Sequence, residues 1–333
     1  MSTVSAIIPT WNRADLLKQI LPNLRSQTRV PEQIVVVDNG SSDDSLEVAR
    51  SLNADVVQFS ENRGFAAAVN EGIKRAWGDW ILIVNNDVVL EPEWLEVLVR
   101  CAEQHGAAFA TGKLLQSSQV PRIDGTWDMI SRAAHAWRCG YGRPDGTTWS
   151  TIRKIWFAPM TAALFRRNLF NAVGVLDERF EAYYEDIDFG LRCTLAGFEG
   201  VYEPAAVAVH LGKSTLGKKG SRVIFLTARN QILLLAKHYS ARTLRRFAWP
   251  ILVGQVLAVI GAATHGQLLA AVRGKWAGLR LWSKFRTGVA RSSERDEKLE
   301  SALSRSEHDI LNLQHQIGFD PYWRAYFSLV RPA

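Results

Sequence analysis

The chain has 333 residues, of which 47% are apolar and 22% charged, and a formal net charge of +7. That composition excludes a disordered or collagen-like chain and accommodates one large α/β domain with an appendage, or two modest domains. The opening MSTVSAIIPT has no basic n-region or cleavage site and predicts no signal peptide, while Cys101, Cys139 and Cys193 lie far apart without zinc spacing and are expected as buried thiols in a reducing compartment.

In chain order, SAIIP predicts a buried strand, and ADLLKQILPNL a helix with Leu16, Leu17, Ile20, Leu21 and Leu24 on one face. EQIVVVDNG is a second strand ending in Asp38, SLEVARSL a helix, DVVQF a third strand, GFAAAVNEGIKRAW a helix and WILIVNND a fourth strand. Strands alternating with helices of this length predict parallel βαβ units. The stretch 105–155, rich in Gly, Trp and Arg, reads as loops over a surface. WFAPMTAALFRR returns to strand character, YEDIDFGLRCTLAG to helix and AVAVH to strand.

Beyond this the character changes. Between Glu203 and Glu294 there is no acidic residue but 15 Lys or Arg, leaving 25 basic against 33 acidic residues in the rest of the chain. Such a division predicts an anionic partner for the basic segment. RVIFLTARNQILLLAKHY is an apolar helix. In the following run Phe247–Ala263 only Gln255 is clearly polar, and Pro250 is expected to interrupt it. At about 1.5 Å per residue the run spans roughly 25 Å, short of the roughly 30 Å core of a bilayer. It reads either as a helix lying in a membrane interface, with Trp249, Trp276 and Trp282 at headgroup depth, or as a buried helical hairpin. From Ser292 the tail is charged and helical, with Leu299, Leu303, Ile310, Leu313 and Ile317 on one seam and Ser306 in its polar position. A short coiled coil and a self-packed amphipathic helix both fit that pattern.

Four groups of residues suggest chemistry. Asp38 ends a strand, where an acid accepts a base or ribose hydrogen bond or merely caps a turn. Asn85-Asn86-Asp87 ends another, at the place where open α/β sheets bind ligands. One carboxylate suffices for Mg²⁺ when a diphosphate arrives with the ion, and an Asx-turn is the plainer reading. Glu185, Asp186 and Asp188 crowd a helix start. The helix dipole favours them there and Arg192 can pair with Asp188, but the crowding also suits a catalytic base. His210 follows an apolar strand and opens a loop through Lys218-Lys219-Gly220, suited to covering an anionic ligand.

Taken together, VSAIIPTWNR, IVVVDNGSSDDS, ENRGFAAAVNEGI, ILIVNNDVVL, TAALFRRNLFNAVGVLDERFEAYYEDIDFGLR and AVHLGKST resemble the family-2 inverting glycosyltransferases of the GT-A fold, in their rhamnosyltransferase-like branch. The resemblance covers roughly residues 3–230. It implies an α/β fold: a Rossmann-like three-layer αβα sandwich with a mixed central sheet, followed by a basic, apolar, helical C-terminal region. Pro9, Thr10, Asn12, Arg13, Asp38, Asn62 and Gly64 would frame the nucleotide, Asp38 reading the N3–H of uracil or thymine, with Asn85 and Asn86 toward the sugar. Asp87 matches the metal-binding aspartate of the D-x-D motif and His210 a histidine that completes the site, for Mg²⁺ or Mn²⁺. This chain departs from the motif at Asn85, where its first aspartate would stand. Asp186 matches the catalytic base, with Glu185 and Asp188 orienting the acceptor, and Lys218 or Lys219 would stabilise the leaving diphosphate.

The implied reaction moves a sugar from a dTDP- or UDP-linked donor, dTDP-rhamnose among them, to a hydroxyl of a glycan or lipid-linked glycan. A membrane-associated subunit with a degenerate donor site is the alternative. The expected division is a catalytic domain over 1–215 (nucleotide part to about 105), a basic membrane-associating region over 216–292, and a tail over 293–333. An anionic membrane surface is the expected partner, with the protein peripheral on the cytoplasmic face. A homo-oligomer would use the tail helix, and no nucleic acid is expected. PTWNRAD after the first strand lacks the glycines of a dinucleotide oxidoreductase or a nucleotidyltransferase phosphate loop. No Q-x-x-R-W motif points to a processive synthase.

Overall fold

A computed structural model describes residues 2–212, 220–286 and 292–332. The first hundred residues alternate as the periodicity predicts: β1 (Val4–Thr10), α1 (Ala14–Arg25), β2 (Gln33–Asp38), α2 (Ser45–Ser51), β3 (Asp55–Gln58), α3 (Phe65–Arg75), β4 (Trp80–Val84), β5 (Val88–Leu90) and α4 (Trp94–Gln104). Then follow β6 (Phe109–Gln116), β7 (Ile123–Gly125), β8 (Asp128–Ile130), β9 (Ala136–Arg138), β10 (Arg153–Ile155), β11 (Ala162–Arg166), α5 (Arg167–Val173), α6 (Glu185–Leu195) and β12 (Gly200–His210).

One mixed sheet runs in the order β10-β12-β6-β11-β4-β1-β2-β3, with β5 added to β12 and β7 to β6. Strands β4, β1, β2 and β3 are parallel, whereas β11 runs antiparallel to both neighbours. Strand alternation sends Val4, Ala6, Ile8, Val36, Leu82 and Val84 into one core with Leu17, Leu21 and Leu24 of α1 and Leu95 and Leu98 of α4. The opposite face carries α3, packed so closely that a Cβ at Gly72 would lie 2.3 Å from Ile7 Cγ2. Helices therefore cover both faces.

The stretch read as surface loops is corrected here. β6 is a buried strand inside the sheet, and Asp124, Trp127, Asp128, Met129 and Ile130 are all buried. Strand pairing satisfies its backbone, so glycines and polar residues sit inside without apolar alternation.

The chain divides into two compact units, Met1–Asp128 with Arg138–Thr215, and Met129–Trp137 with Leu216–Ala333. The second comprises the stretch 129–137 together with α7 (Ser221–His238), α8 (Ala241–Arg246), α9 (Ala248–Thr264), α10 (Leu268–Phe285), α11 (Ser293–Ile317) and α12 (Pro321–Leu329). Three expectations change within it. Pro250 does not interrupt α9 but sits in its first turn, where a missing N–H breaks no helical bond. The tail is not a separate piece: Glu300 of α11 accepts from Thr243 Oγ1 at 2.9 Å and pairs with Arg246 at 2.6 Å.

The third change concerns the seam. Leu299, Leu303, Ser306, Ile310 and Leu313 are buried within the unit, Ser306 Oγ accepting from Ile130 N at 3.0 Å. Glu307 accepts from Arg132 N at 2.9 Å and from Tyr326 OH at 2.8 Å. The helix on which a homo-oligomer was expected has its apolar face already filled, so that expectation loses its surface. The three cysteines are buried thiols, as expected.

Candidate active site

Strands β1 and β2 end in register, Thr10 opposite Asp38, so their loops leave the sheet from one edge. Pro9 is half-buried beside Thr10 at the end of β1. Asp38 is fully buried: Oδ1 accepts from Ser41 N at 3.2 Å, while Oδ2 has no hydrogen-bond partner among the described residues. A buried carboxylate oxygen without a donor is costly and suits a site where a ligand brings the donor. Asn12, at a left-handed φ of 52°, accepts from Ser42 N at 2.7 Å and donates from its own N to Ser41 Oγ at 2.8 Å, binding the first two loops together. Arg13 pairs with Asp15 at 2.9 Å; that bond, with Asp87 among the further contributors, holds its pKa above the ordinary value.

Asn62 and Gly64 are fixed by a residue the sequence reading passed over. Asn39 accepts from Arg63 N at 2.8 Å and donates to Asn62 Oδ1 and Gly64 O, both at 3.1 Å. Gly64 has a φ of 89°, and a Cβ there would come within 3.0 Å of the Glu181 carbonyl oxygen.

The run Asn85-Asn86-Asp87 turns out of β4. Asn85 N donates to Thr161 O and Asn86 Nδ2 to Thr10 Oγ1, each at 2.9 Å. Strand β5 then pairs antiparallel with the end of β12, Val88 opposite His210, which brings Asp87 beside the histidine. Asp87 Oδ2 lies 3.2 Å from His210 Nε2 without the alignment of a hydrogen bond, and His210 Nδ1 lies 2.7 Å from Asp124 Oδ2. Burial alone would lower the imidazole pKa, but Asp124 and Asp87 outweigh it and push His210 up to about 9.

The pair Asp87–His210 fits a divalent ion. Two ligands at right angles, each about 2.1 Å from a metal, stand about 3 Å apart, close to the 3.2 Å found. Among the described residues no three His, Cys, Asp or Glu side chains form a ready metal site, so donor diphosphate and water would fill the remaining positions. Asp124, 2.7 Å from the far ring nitrogen, stands where a carboxylate partner of a metal-binding histidine would stand.

A second group of carboxylates gathers at the start of α6. Glu181, Tyr183 and Tyr184 all have left-handed φ, 64°, 66° and 72°, a strained approach for non-glycine residues. Glu185 is buried, with no hydrogen-bond partner for Oε2 among the described residues; burial, then the charge of Asp186, drives its pKa well above the ordinary value. Asp186 Oδ1 accepts from Ile187 N at 2.8 Å, and burial raises its pKa while Arg138 opposes the rise. Asp128 is raised by burial to about 7, with Arg138 opposing and Asp186 adding.

Arg138 is one-third exposed and lies 3.6 Å from Asp128. Burial works against its charge, yet Asp128, Asp124 and Asp186 together hold its pKa above the ordinary value. It therefore interacts with both carboxylate groups, the one around His210 and the one around Asp186. Asp124, Asp128 and Arg138 escaped sequence reading because all three lie in the stretch taken for surface loops.

Asp188 does not fit the acceptor-orienting part expected of it. It is fully buried and pairs with Arg192 at 3.0 Å, whose remaining N–H groups donate to the carbonyls of Gly174 and Val175 at 3.1 and 2.9 Å. It braces α6 against the 173–175 turn and offers an acceptor no surface. Lys218 and Lys219 lie outside the described residues.

Residues 5–174, half of the chain, match the family described as Glycosyl transferase family 2. The chain belongs to glycosyl transferase family 2. Among the similar proteins is an N-acetylglucosaminyl-diphospho-decaprenol L-rhamnosyltransferase of Mycobacterium tuberculosis, 27% identical over 257 residues that cover 69% of this chain and 83% of the relative. An O-antigen biosynthesis protein of Myxococcus xanthus is 30% identical over 62% of this chain and 17% of its own length. Among solved structures, GalNAc-T7 with UDP, GalNAc and Mn²⁺ aligns at a TM-score of 0.64 with 12% identity, covering 96% of this chain and 59% of that one. A Pyrobaculum calidifontis mannosyltransferase with GDP-Man and Mn²⁺ aligns at 0.52 with 17% identity, covering 98% and 86%. The fold of this family 2 glycosyltransferase is thus GT-A, as the resemblance implied. The alternative of a degenerate subunit gains no support from the family match or from the relatives.

Proposed function

We propose that this transferase moves a sugar from a uridine or thymidine diphosphate sugar to a hydroxyl of a lipid-linked glycan, with inversion at the anomeric carbon. The observation that carries the reading is the Asp87–His210 pair, 3.2 Å apart and able to hold a metal with the donor, in the same compact unit as the half-buried Asp186, which is able to take a proton. The mycobacterial relative's name, which specifies an N-acetylglucosaminyl-diphospho-decaprenol acceptor and an L-rhamnosyl group, supports a lipid-linked acceptor and makes dTDP-rhamnose the first donor to test.

In this reading Asp38 accepts the base N3–H through its unpartnered Oδ2, and Asn12, Asn62 and Gly64 shape the loops around the nucleotide. Asp186 removes the acceptor hydroxyl proton as that oxygen attacks the anomeric carbon, opposite the leaving diphosphate. One C–O bond forms as another breaks, and a single displacement inverts the centre. Arg138 opposes the rise that desolvation imposes on Asp186 and so favours its ionised form. When held by Asp87 and His210, Mg²⁺ or Mn²⁺ would supply positive charge against the departing diphosphate.

Thermal shift with UDP-, dTDP- and GDP-sugars, each with and without Mn²⁺, tests the donor half. A ligand at about 100 times its dissociation constant stabilises by roughly 2.7 kcal/mol, so a uridine or thymidine donor with Mn²⁺ should raise the melting temperature while GDP-mannose should not. Equal indifference to all three would overturn the reading.

A further inference from the structure

Nine of the sixteen exposed large apolar side chains among the described residues lie on α9 and α10, each 47–61% exposed. On α9 they are Trp249, Leu252, Val256 and Ile260, at successive steps of three or four residues. On α10 they are Leu268, Leu269, Val272, Trp276 and Leu279. At about 100° per residue those five fall within an arc of roughly 100°, and Arg280, Arg273 and Lys284 fall in the next ~60°. All three cations are exposed, and the Arg280 guanidinium sits 5.2 Å over the Trp276 ring.

Packing holds this face outward. The other side of α10 is Ala271, Gly274 and Gly278, pressed against α7 so tightly that a Cβ at Gly274 would lie 2.4 Å from Phe225 O, and one at Gly278 2.7 Å from Ile232 Cβ. Rotating the stripe inward would drive Leu and Trp into a contact that admits only glycine. Ala262 of α9 packs with Ala271 and Ala228 in the same small-residue seam. Exposed apolar residues usually occur singly; a contiguous set marks a binding surface.

We propose that the exposed faces of α9 and α10 form a membrane-docking surface that lies in the interface of an anionic lipid leaflet. An apolar stripe edged by Arg and Lys is the pattern of an interfacial helix, the stripe entering the acyl boundary and the cations meeting lipid phosphate. The chain supplies no acid between Glu203 and Glu294 to repel that surface. No described helix is long and apolar enough to cross a membrane. A nucleic-acid surface would need the cations but not nine exposed apolar side chains. The surface needs no donor or acceptor and stands apart from the transfer reaction.

Cosedimentation of the full chain with sucrose-loaded vesicles tests it, using phosphatidylcholine alone and phosphatidylcholine with about one-third phosphatidylglycerol. The chain should pellet with the anionic vesicles and only weakly with the neutral ones. The combined substitution Val256→Ser, Leu269→Ser, Trp276→Ser should weaken partitioning at least ~tenfold on burial grounds, with an unchanged melting temperature. Arg273→Glu with Arg280→Glu and Lys284→Glu should weaken it at least ~tenfold on anionic vesicles only. A chain that stays in the supernatant, or variants that pellet like the parent, would overturn the proposal. So would a lipid-free dimer that the serine variant converts to monomer, because a second copy would then cover the stripe.

Discussion

The half-buried Asp186 and its neighbours illustrate what clustered carboxylates do at the scale of single residues. Burial raises Asp186 and Arg138 restrains it. A base works only when ionised, so activity should be present above that raised pKa and fall as pH drops through it. The acid limb of the pH–rate profile should therefore lie above the ordinary Asp value. Arg138→Gln removes the restraint and should move that limb to higher pH; an unmoved limb would separate Arg138 from the base. On the metal side, Asp124→Asn leaves Asp87 and His210 in place but removes the carboxylate that orients the ring. Titration calorimetry should then show Mn²⁺ binding weakened by about 10–100-fold, the usual effect of losing such a partner, and unaltered affinity would contradict its part. Asp87, His210, Asp186 and Asp38 stood out as candidates because each lies at or beside the boundary of an element that periodicity marks. Asp124, Asp128 and Arg138 were not, since only the pairing of β7 with β6 and of β8 with β9 brings them in.

At the scale of elements, the parallel strands were legible because fully buried strands read as apolar runs, whereas β6 was not. Its sequence FATGKLLQ carries Gly, Thr and Lys, and Lys113 is buried only because Asp145 meets it at 2.9 Å. Tertiary pairing overrides local propensity there. The loop after β3 is held to the approach of α6 at Gly64, whose left-handed φ and closeness to Glu181 both resist a side chain. Gly64→Ala should destabilise by about 1–3 kcal/mol, the usual range for a residue forced into a strained conformation, and raise KM for the donor. Urea denaturation with steady-state kinetics checks both, and a neutral result on both would remove the constraint. The tail seam shows the reverse limit. Its spacing was right, but nothing in a heptad says whether the partner is a second chain or the same one.

At the scale of the whole molecule, the change in composition after Glu203 is the sequence feature nearest the division into two units. The acid-free span begins within β12 and runs into the second unit, where part of its charge is met by acids of α11, as Glu300 meets Arg246 and Glu297 lies 3.6 Å from Arg242. The excursion of 129–137 into that unit had no sequence signal. In the first unit the carboxylates at the start of α6 and the metal-fitting pair Asp87–His210 belong to one compact body, and that arrangement carries the functional account. The most direct test is transfer of labelled rhamnose from dTDP-rhamnose, in Mn²⁺, to an N-acetylglucosaminyl-diphospho-lipid by the parent chain and by Asp186→Asn. The account predicts transfer by the parent, a loss of about 10²–10⁴ in kcat for the variant as expected for a missing base, and donor binding retained in both. Equal turnover by the two proteins would contradict it.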